Sequence, residues 1–143
     1  MASRREFILS ACKLCLAVGA AGSVAAFLEG CKTIQVVTAE NEGEDQLKIP
    51  MTSFAENSQV LVRSRKVSQD ILAVRKPGDT YTALLLECTH ENQPLTASGN
   101  SIFCSSHGSK FDLDGNVVTS PASRPLRKYP ANVSGEYLFI KIK

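Results

Sequence analysis

The chain has 143 residues, with 16 basic and 14 acidic side chains and a formal net charge of +2, so that after any targeting segment only about 100 residues are left to build one small core. A nearly balanced charge without a Lys/Arg stripe or interleaved aromatics excludes nucleic acid as a partner. Charged residues at 21% and apolar ones at 43% are the proportions of a globular domain and exclude a mostly disordered chain.

The N-terminus resembles a twin-arginine export signal in Ser3, Arg4, Arg5, Phe7 and Ile8, and departs from it at Leu9, where that pattern often has Lys. From Leu14 to Leu28 no residue is charged, and as a helix this stretch would reach about 22 Å, short of a hydrocarbon core of about 30 Å. That length suits the apolar region of a signal. Extension back to Phe7 takes in Lys13, whose charge would have to snorkel to a headgroup, and leaves an uncleaved anchor open. Phe27-Leu28-Glu29-Gly30-Cys31 resembles a lipoprotein box, with Glu29 in place of the usual small neutral residue. Cys12 and Cys15 have redox-motif spacing but read as apolar members of the signal. Residues 1–31 are therefore expected to export the chain to the periplasmic face of the cytoplasmic membrane and tether it there, by lipid on Cys31 or by a retained segment. Residues 32–46, acidic and without periodicity, read as a polar linker. The folded domain is expected over 47–143.

Within that domain, short apolar runs and period-two patterns predict strands at Leu47 to Ile49, Gln59 to Arg63, Ile71 to Arg75, Thr82 to Leu86, Ser101 to Cys104, Lys110 to Asp112, Leu126 to Val133 and Tyr137 to Ile142. Turn signals fall at Lys76-Pro77-Gly78-Asp79, Ser98-Gly99-Asn100, Asp114-Gly115-Asn116 and Ser134-Gly135-Glu136. No long helix is predicted. The fold class is all-β, a small antiparallel sandwich or barrel.

The chemistry is concentrated in two motifs. Beyond Cys31 the remaining cysteines are Cys88 and Cys104, and the chain's two histidines, His90 and His107, follow them two and three positions later. Both motifs fall where a predicted strand opens into a loop, so two loops could close on one metal centre.

Cys88-Thr89-His90, 13 intervening residues and Cys104-Ser105-Ser106-His107 resemble the signature of the Rieske iron-sulfur family, with an interval slightly shorter than usual. Gly108 to Gly115 and Ser120-Pro121-Ala122 are similar to that family's strand, hairpin and proline loop, which extends the likeness over roughly 47–143 and gives the sandwich a cluster-binding subdomain. The resemblance implies one 2Fe-2S cluster per chain, with Cys88 and Cys104 ligating one iron as thiolates and His90 and His107 ligating the other. Neutral imidazoles in place of two thiolates make such a cluster less negative, and its potential rises to about −150 to +300 mV. Ser109 matches the family's serine facing the cluster sulfide. Pro121 and Ala122 are expected to cover the site. Gln93 and Ser106 stand where many respiratory members have a bridging disulfide, and Phe111 stands where a tyrosine donates to a cysteine sulfur. Fewer donors to sulfur put the expected potential in the lower half of the range.

The resemblance thus implies a tethered one-electron carrier without a catalytic site of its own. Its partner would be a redox protein, such as a cytochrome or a quinol-oxidising or molybdenum oxidoreductase subunit, or quinol itself. The alternative is the Rieske subunit of a quinol-cytochrome c reductase or of an arsenite-oxidase-like enzyme. A ring-hydroxylating oxygenase needs further histidines for a second iron. Two readings without a cluster stay open: structural zinc on the same four residues, and plain core cysteines with surface histidines. Asp112 and Asp114 read as hairpin residues, and Arg63, Arg65, Lys66, Arg75, Lys76, Arg124, Arg127 and Lys128 as a solvated face or a basic docking rim.

Overall fold

The computed structural model describes residues 33–143, a compact unit of strands; the proposed signal, with Cys12, Cys15 and Cys31, lies outside the described residues. Among the described residues no helix is long and apolar enough to cross a membrane.

The strands, in chain order, are β1 (Gln35–Thr38), β2 (Glu40–Glu42), β3 (Gln46–Pro50), β4 (Gln59–Arg63), β5 (Ile71–Lys76), β6 (Thr80–Leu85), β7 (Thr96–Ser98), β8 (Ser101–Phe103), β9 (Lys110–Phe111), β10 (Val117–Thr119), β11 (Lys128–Tyr129), β12 (Ala131–Ser134) and β13 (Tyr137–Lys141). They form three sheets, ordered β1-β4-β5-β6-β11, β12-β13-β3-β2 and β10-β9-β8-β7. All pairings are antiparallel except β1 with β4. The all-β expectation therefore holds.

Alternation explains how the first two sheets meet. Leu47 and Ile49 of β3, Val60 and Val62 of β4, and Leu138 and Ile140 of β13 point one way from their strands and share one buried cluster with Ile71, Ala73, Ala83, Leu85 and Phe54. On β5 and β6 the other face is buried too: Leu72, Val74, Leu84 and Leu86 join Leu95, Ile102, Phe111, Ala122, Leu126 and both cysteines in a second cluster. Strands covered on both faces cannot alternate, which is why Ile71 to Val74 and Ala83 to Leu86 read as unbroken apolar runs. The third sheet sits on that second core, and the two Cys–His motifs lie in the loops that lead into it and connect its strands.

Residues 32–46 are not a linker. β1 pairs with β4, and β2 pairs with β3 through Glu40 opposite Lys48 and Glu42 opposite Gln46. The Lys48 ammonium lies 3.3 Å from the Glu40 carboxylate and 3.4 Å from that of Glu42, so acidic residues that suggest a solvated spacer are here the charged side of an edge strand. The predicted run from Leu126 to Val133 is two strands. Pro130, which cannot donate to a ladder, separates β11 in one sheet from β12 in another.

All four turn signals lie between paired strands or at their ends. Asp114-Gly115-Asn116 is the most constrained: Gly115 has φ +78°, and a Cβ there would come within 2.9 Å of Leu84 Cδ2.

Candidate metal centre

Two loops of the same design hold the four candidate ligands. In the first, between β6 and β7, the Cys88 N–H donates to Gln93 O at 2.8 Å and the Asn92 N–H donates to Cys88 O at 2.7 Å. In the second, between β8 and β9, the Cys104 N–H donates to Ser109 O at 2.9 Å and the Gly108 N–H donates to Cys104 O at 3.0 Å. Each loop thus closes from the cysteine to the fifth residue beyond it. The fourth residue beyond it reverses the chain in the left-handed region, with φ +54° at Asn92 and φ +80° at Gly108. Glycine adopts this conformation freely and Asn is among the residues that tolerate it.

Within these loops the donors divide by depth. Cys88 and Cys104 are buried at 1% and 2% exposure and belong to the same core cluster. His90 and His107 are exposed, with ring centroids 5.0 Å apart and planes at 86°. Burial pushes the Cys104 thiol up, but donation from the His107 and Ser106 backbone N–H groups, the Cys88 thiol and the Ser106 hydroxyl outweighs it, and its pKa falls below the ordinary cysteine value. A buried thiol held towards its anionic form is a prepared metal ligand.

A third segment, from Ser120 to Arg124 between β10 and β11, lies across both loops. Its buried Ala122 N–H donates to the Oγ of fully buried Ser109 at 3.0 Å. The Thr89 hydroxyl donates to Arg124 O at 2.6 Å, and Arg124 Nη2 approaches Thr89 O at 3.4 Å. Ser109 accepts from this strap, which leaves its own hydroxyl proton for another acceptor. Pro121 is exposed while Ala122 is buried, so Ala122 supplies the cover.

The donor chemistry suits iron-sulfur binding, because thiolate and imidazole are the ligand types such clusters and zinc select. Their spacing discriminates between the two. Among the described residues, the donors whose ligand atoms fall within 4.8 Å of one another as a set of three are His90, Glu91 and His107, with neither thiol in the set. One tetrahedral zinc gripping both cysteines and both histidines needs all four donor atoms closer than that, within about 3.3–3.8 Å. A buried thiol pair and a separate imidazole pair fit a binuclear group.

The structure therefore brings Cys88, His90, Cys104, His107 and Ser109 to one end of the domain, as the sequence suggests. It keeps Ala122 as the cover and adds Thr89, Glu91, Asn92 and Arg124. Of these, Asn92 was findable, since it stands at the same offset from Cys88 as Gly108 from Cys104. Three of the basic residues are engaged locally: Arg63 pairs with Asp70 at 2.8 Å, Lys76 with Asp114 at 2.9 Å, and Lys66 donates to the carbonyls of Gly43 and Glu44. Asp112 accepts from the N–H groups of Asp114 and Asn116 at 2.9 and 2.8 Å, a hairpin role.

Comparison with known proteins agrees with this geometry. The family described as Rieske [2Fe-2S] domain matches residues 50–130. The chain is similar to the cytochrome b6-f complex iron-sulfur subunit of Chlorobaculum thiosulfatiphilum, 31% identical over 75 residues, and to the chloroplastic one of Bigelowiella natans, 37% identical over 79 residues. Those matches span 51% and 52% of this chain but 41% and 31% of the relatives' own length. In fold it is similar to the plasma membrane Rieske protein PetC3 from Synechocystis PCC 6803, with a TM-score of 0.56 at 23% identity over 64% of this chain and 94% of that one. A second structural likeness is to a chain in the oxygenase–ferredoxin complex of carbazole 1,9a-dioxygenase, with a TM-score of 0.52 at 21% identity over 68% of this chain and 94% of that one.

Proposed function

This chain belongs to the Rieske 2Fe-2S domain family, and from that premise we propose that it carries single electrons from the periplasmic face of the cytoplasmic membrane to or from a redox partner protein. Its cofactor is one 2Fe-2S cluster, which when bound takes up and returns one electron. In this reading Cys88 and Cys104 hold the inner iron as thiolates, and His90 and His107 hold the outer one. The observation that carries it is the split of the donors by depth, with the thiols at 1% and 2% exposure and the imidazoles at the surface. The buried cysteines keep water from the sulfur side, and the exposed imidazoles give the electron a short route to whatever docks there.

For the partner we propose a quinol-oxidising cytochrome complex, supported by likeness to two cytochrome b6-f iron-sulfur subunits. A molybdenum oxidoreductase of the arsenite-oxidase kind would use the same surface. The test of the central reading is anaerobic reconstitution: the full chain should hold two irons and two acid-labile sulfides and, once reduced, give the paramagnetic spectrum of a mixed-ligand cluster. Cys88→Ser and His107→Ala should each abolish that spectrum. A zinc-loaded, iron-free protein with normal stability would favour the structural-zinc reading instead.

A further inference from the structure

The search for chemistry outside the cluster ligands ends at Glu91. It follows His90 directly in the first loop, and its Oε2 lies 3.7 Å from Nδ1 of His107 in the second. The ligand atoms of His90, Glu91 and His107 all lie within 4.8 Å of one another, and all three residues are exposed. Two imidazoles and one carboxylate with an open side form a donor set taken by divalent transition metals, ferrous iron and zinc above all. With metal–ligand distances of about 2.0–2.2 Å, tetrahedral ligands stand about 3.3–3.5 Å apart. The Glu91–His107 pair is already near that separation, and exposed side chains can close the remainder without disturbing the core.

We propose that the cluster-free chain takes up one divalent transition-metal cation on His90, Glu91 and His107. This rests on the reading of both histidines as cluster ligands, because it makes the cation and the cluster mutually exclusive occupants of the imidazoles. The thiols do not join the cation: they are buried and lie outside the set of three. Glu91 is the one member of the set that the cluster does not use. It gives the empty site a harder, more open mouth than two histidines alone would have, where ferrous iron can rest before assembly and where zinc can block it.

The chain has two histidines in all, so every imidazole resonance comes from His90 or His107. Zinc titrated into the full, cluster-free chain should move both rings together, and Glu91→Gln should raise the zinc concentration required at least tenfold. The Cys88→Ser/Cys104→Ser chain should titrate as the unsubstituted one does. Equal zinc demand in Glu91→Gln, or a response lost with the two cysteines, overturns the proposal, the latter by assigning zinc to the four-residue set. A second measurement separates this from the cluster reading. Glu91→Gln, reconstituted with iron and sulfide, should reach full cluster content, and after zinc pre-loading it should do so faster than the parent chain. Loss of cluster in both chains under zinc-free conditions would instead count against the Rieske assignment itself.

Discussion

At Cys104 two effects oppose each other on one atom. Burial strips water from the sulfur and disfavours its anion, while donors from Ser106, His107 and Cys88 favour it and prevail. In the loaded protein, donors that point at the sulfur stabilise the more negative, reduced state, so each should raise the potential. Phe111, fully buried and without a hydroxyl, removes one expected donor, but the Ser106 hydroxyl supplies another on the second cysteine. Ser106→Ala should therefore lower the reduction potential by something on the order of tens of millivolts, read by redox titration, with the paramagnetic spectrum retained. An unchanged potential would mean that the hydroxyl does not point at the sulfur in the loaded site.

Asp112 offers a second residue-level test, through pH. Burial pushes its carboxyl up, and the N–H of Asn116, the Asn116 side chain, the N–H of Asp114 and the charge of Lys76 bring it below the usual carboxylate value. A folded-state pKa below the unfolded one contributes stability that is complete above the ordinary carboxylate range and lost as pH falls through the folded value. Asp112→Asn should thus lower the unfolding free energy read from urea titration at neutral pH by on the order of 0.5–1 kcal/mol, because water screens this partly buried group. The difference should close below the usual carboxylate range. The candidate ligands were legible at this scale because Cys and His declare their chemistry by type. Glu91 and Arg124 were not, because only the fold brings Glu91 to His107 and Arg124 to Thr89.

At the scale of elements, the strap from Ser120 to Arg124 is what ties the two cluster loops together. Gln93 and Ser106 cannot form a disulfide, so no bridge joins the loops at those positions. The strap instead meets one loop at Thr89 and the other at Ser109, and its end is fixed by the Leu126 N–H donating to Gly115 O at 2.8 Å. Thr89→Val keeps the side-chain volume and removes the hydroxyl that donates to Arg124 O. It should hasten loss of iron to a chelator several-fold while leaving the far-ultraviolet dichroism unchanged; an unaltered rate would show that the strap does not govern retention. Legibility fails at this scale for a physical reason. Strands β3, β4 and β13 declare themselves because one face is buried, whereas β2, with Glu40, Asn41 and Glu42 all exposed, and β7, with Thr96 and Ser98 exposed, have no apolar face to alternate. Their existence is set by pairing with a neighbour, which a local pattern does not contain.

For the whole molecule, the buried thiol pair bears on how the chain reaches its compartment. On the proposal that the chain is exported, two unbridged cysteines of one buried cluster would be open to disulfide formation in an oxidising periplasm, and so to loss of the metal cluster. Loading would then have to precede crossing, and a folded, loaded domain would be carried across intact. The proposed reading of Arg4 and Arg5 as a twin-arginine signal would meet that requirement, and the proposed lipid on Cys31 is a separate expectation. Replacing Arg4 and Arg5 by Lys keeps the charge and loses the guanidinium pair. It should leave the protein in the cytoplasm with its cluster in place, detected by fractionation and by the reduced-state spectrum of whole cells. Cys31→Ala should still cross but should shift from the membrane to the soluble periplasmic fraction. A chain that stays membrane-bound after that change would point to a retained N-terminal anchor, and one that is exported with two lysines, its thiols already oxidised, would remove the need for folding before transit.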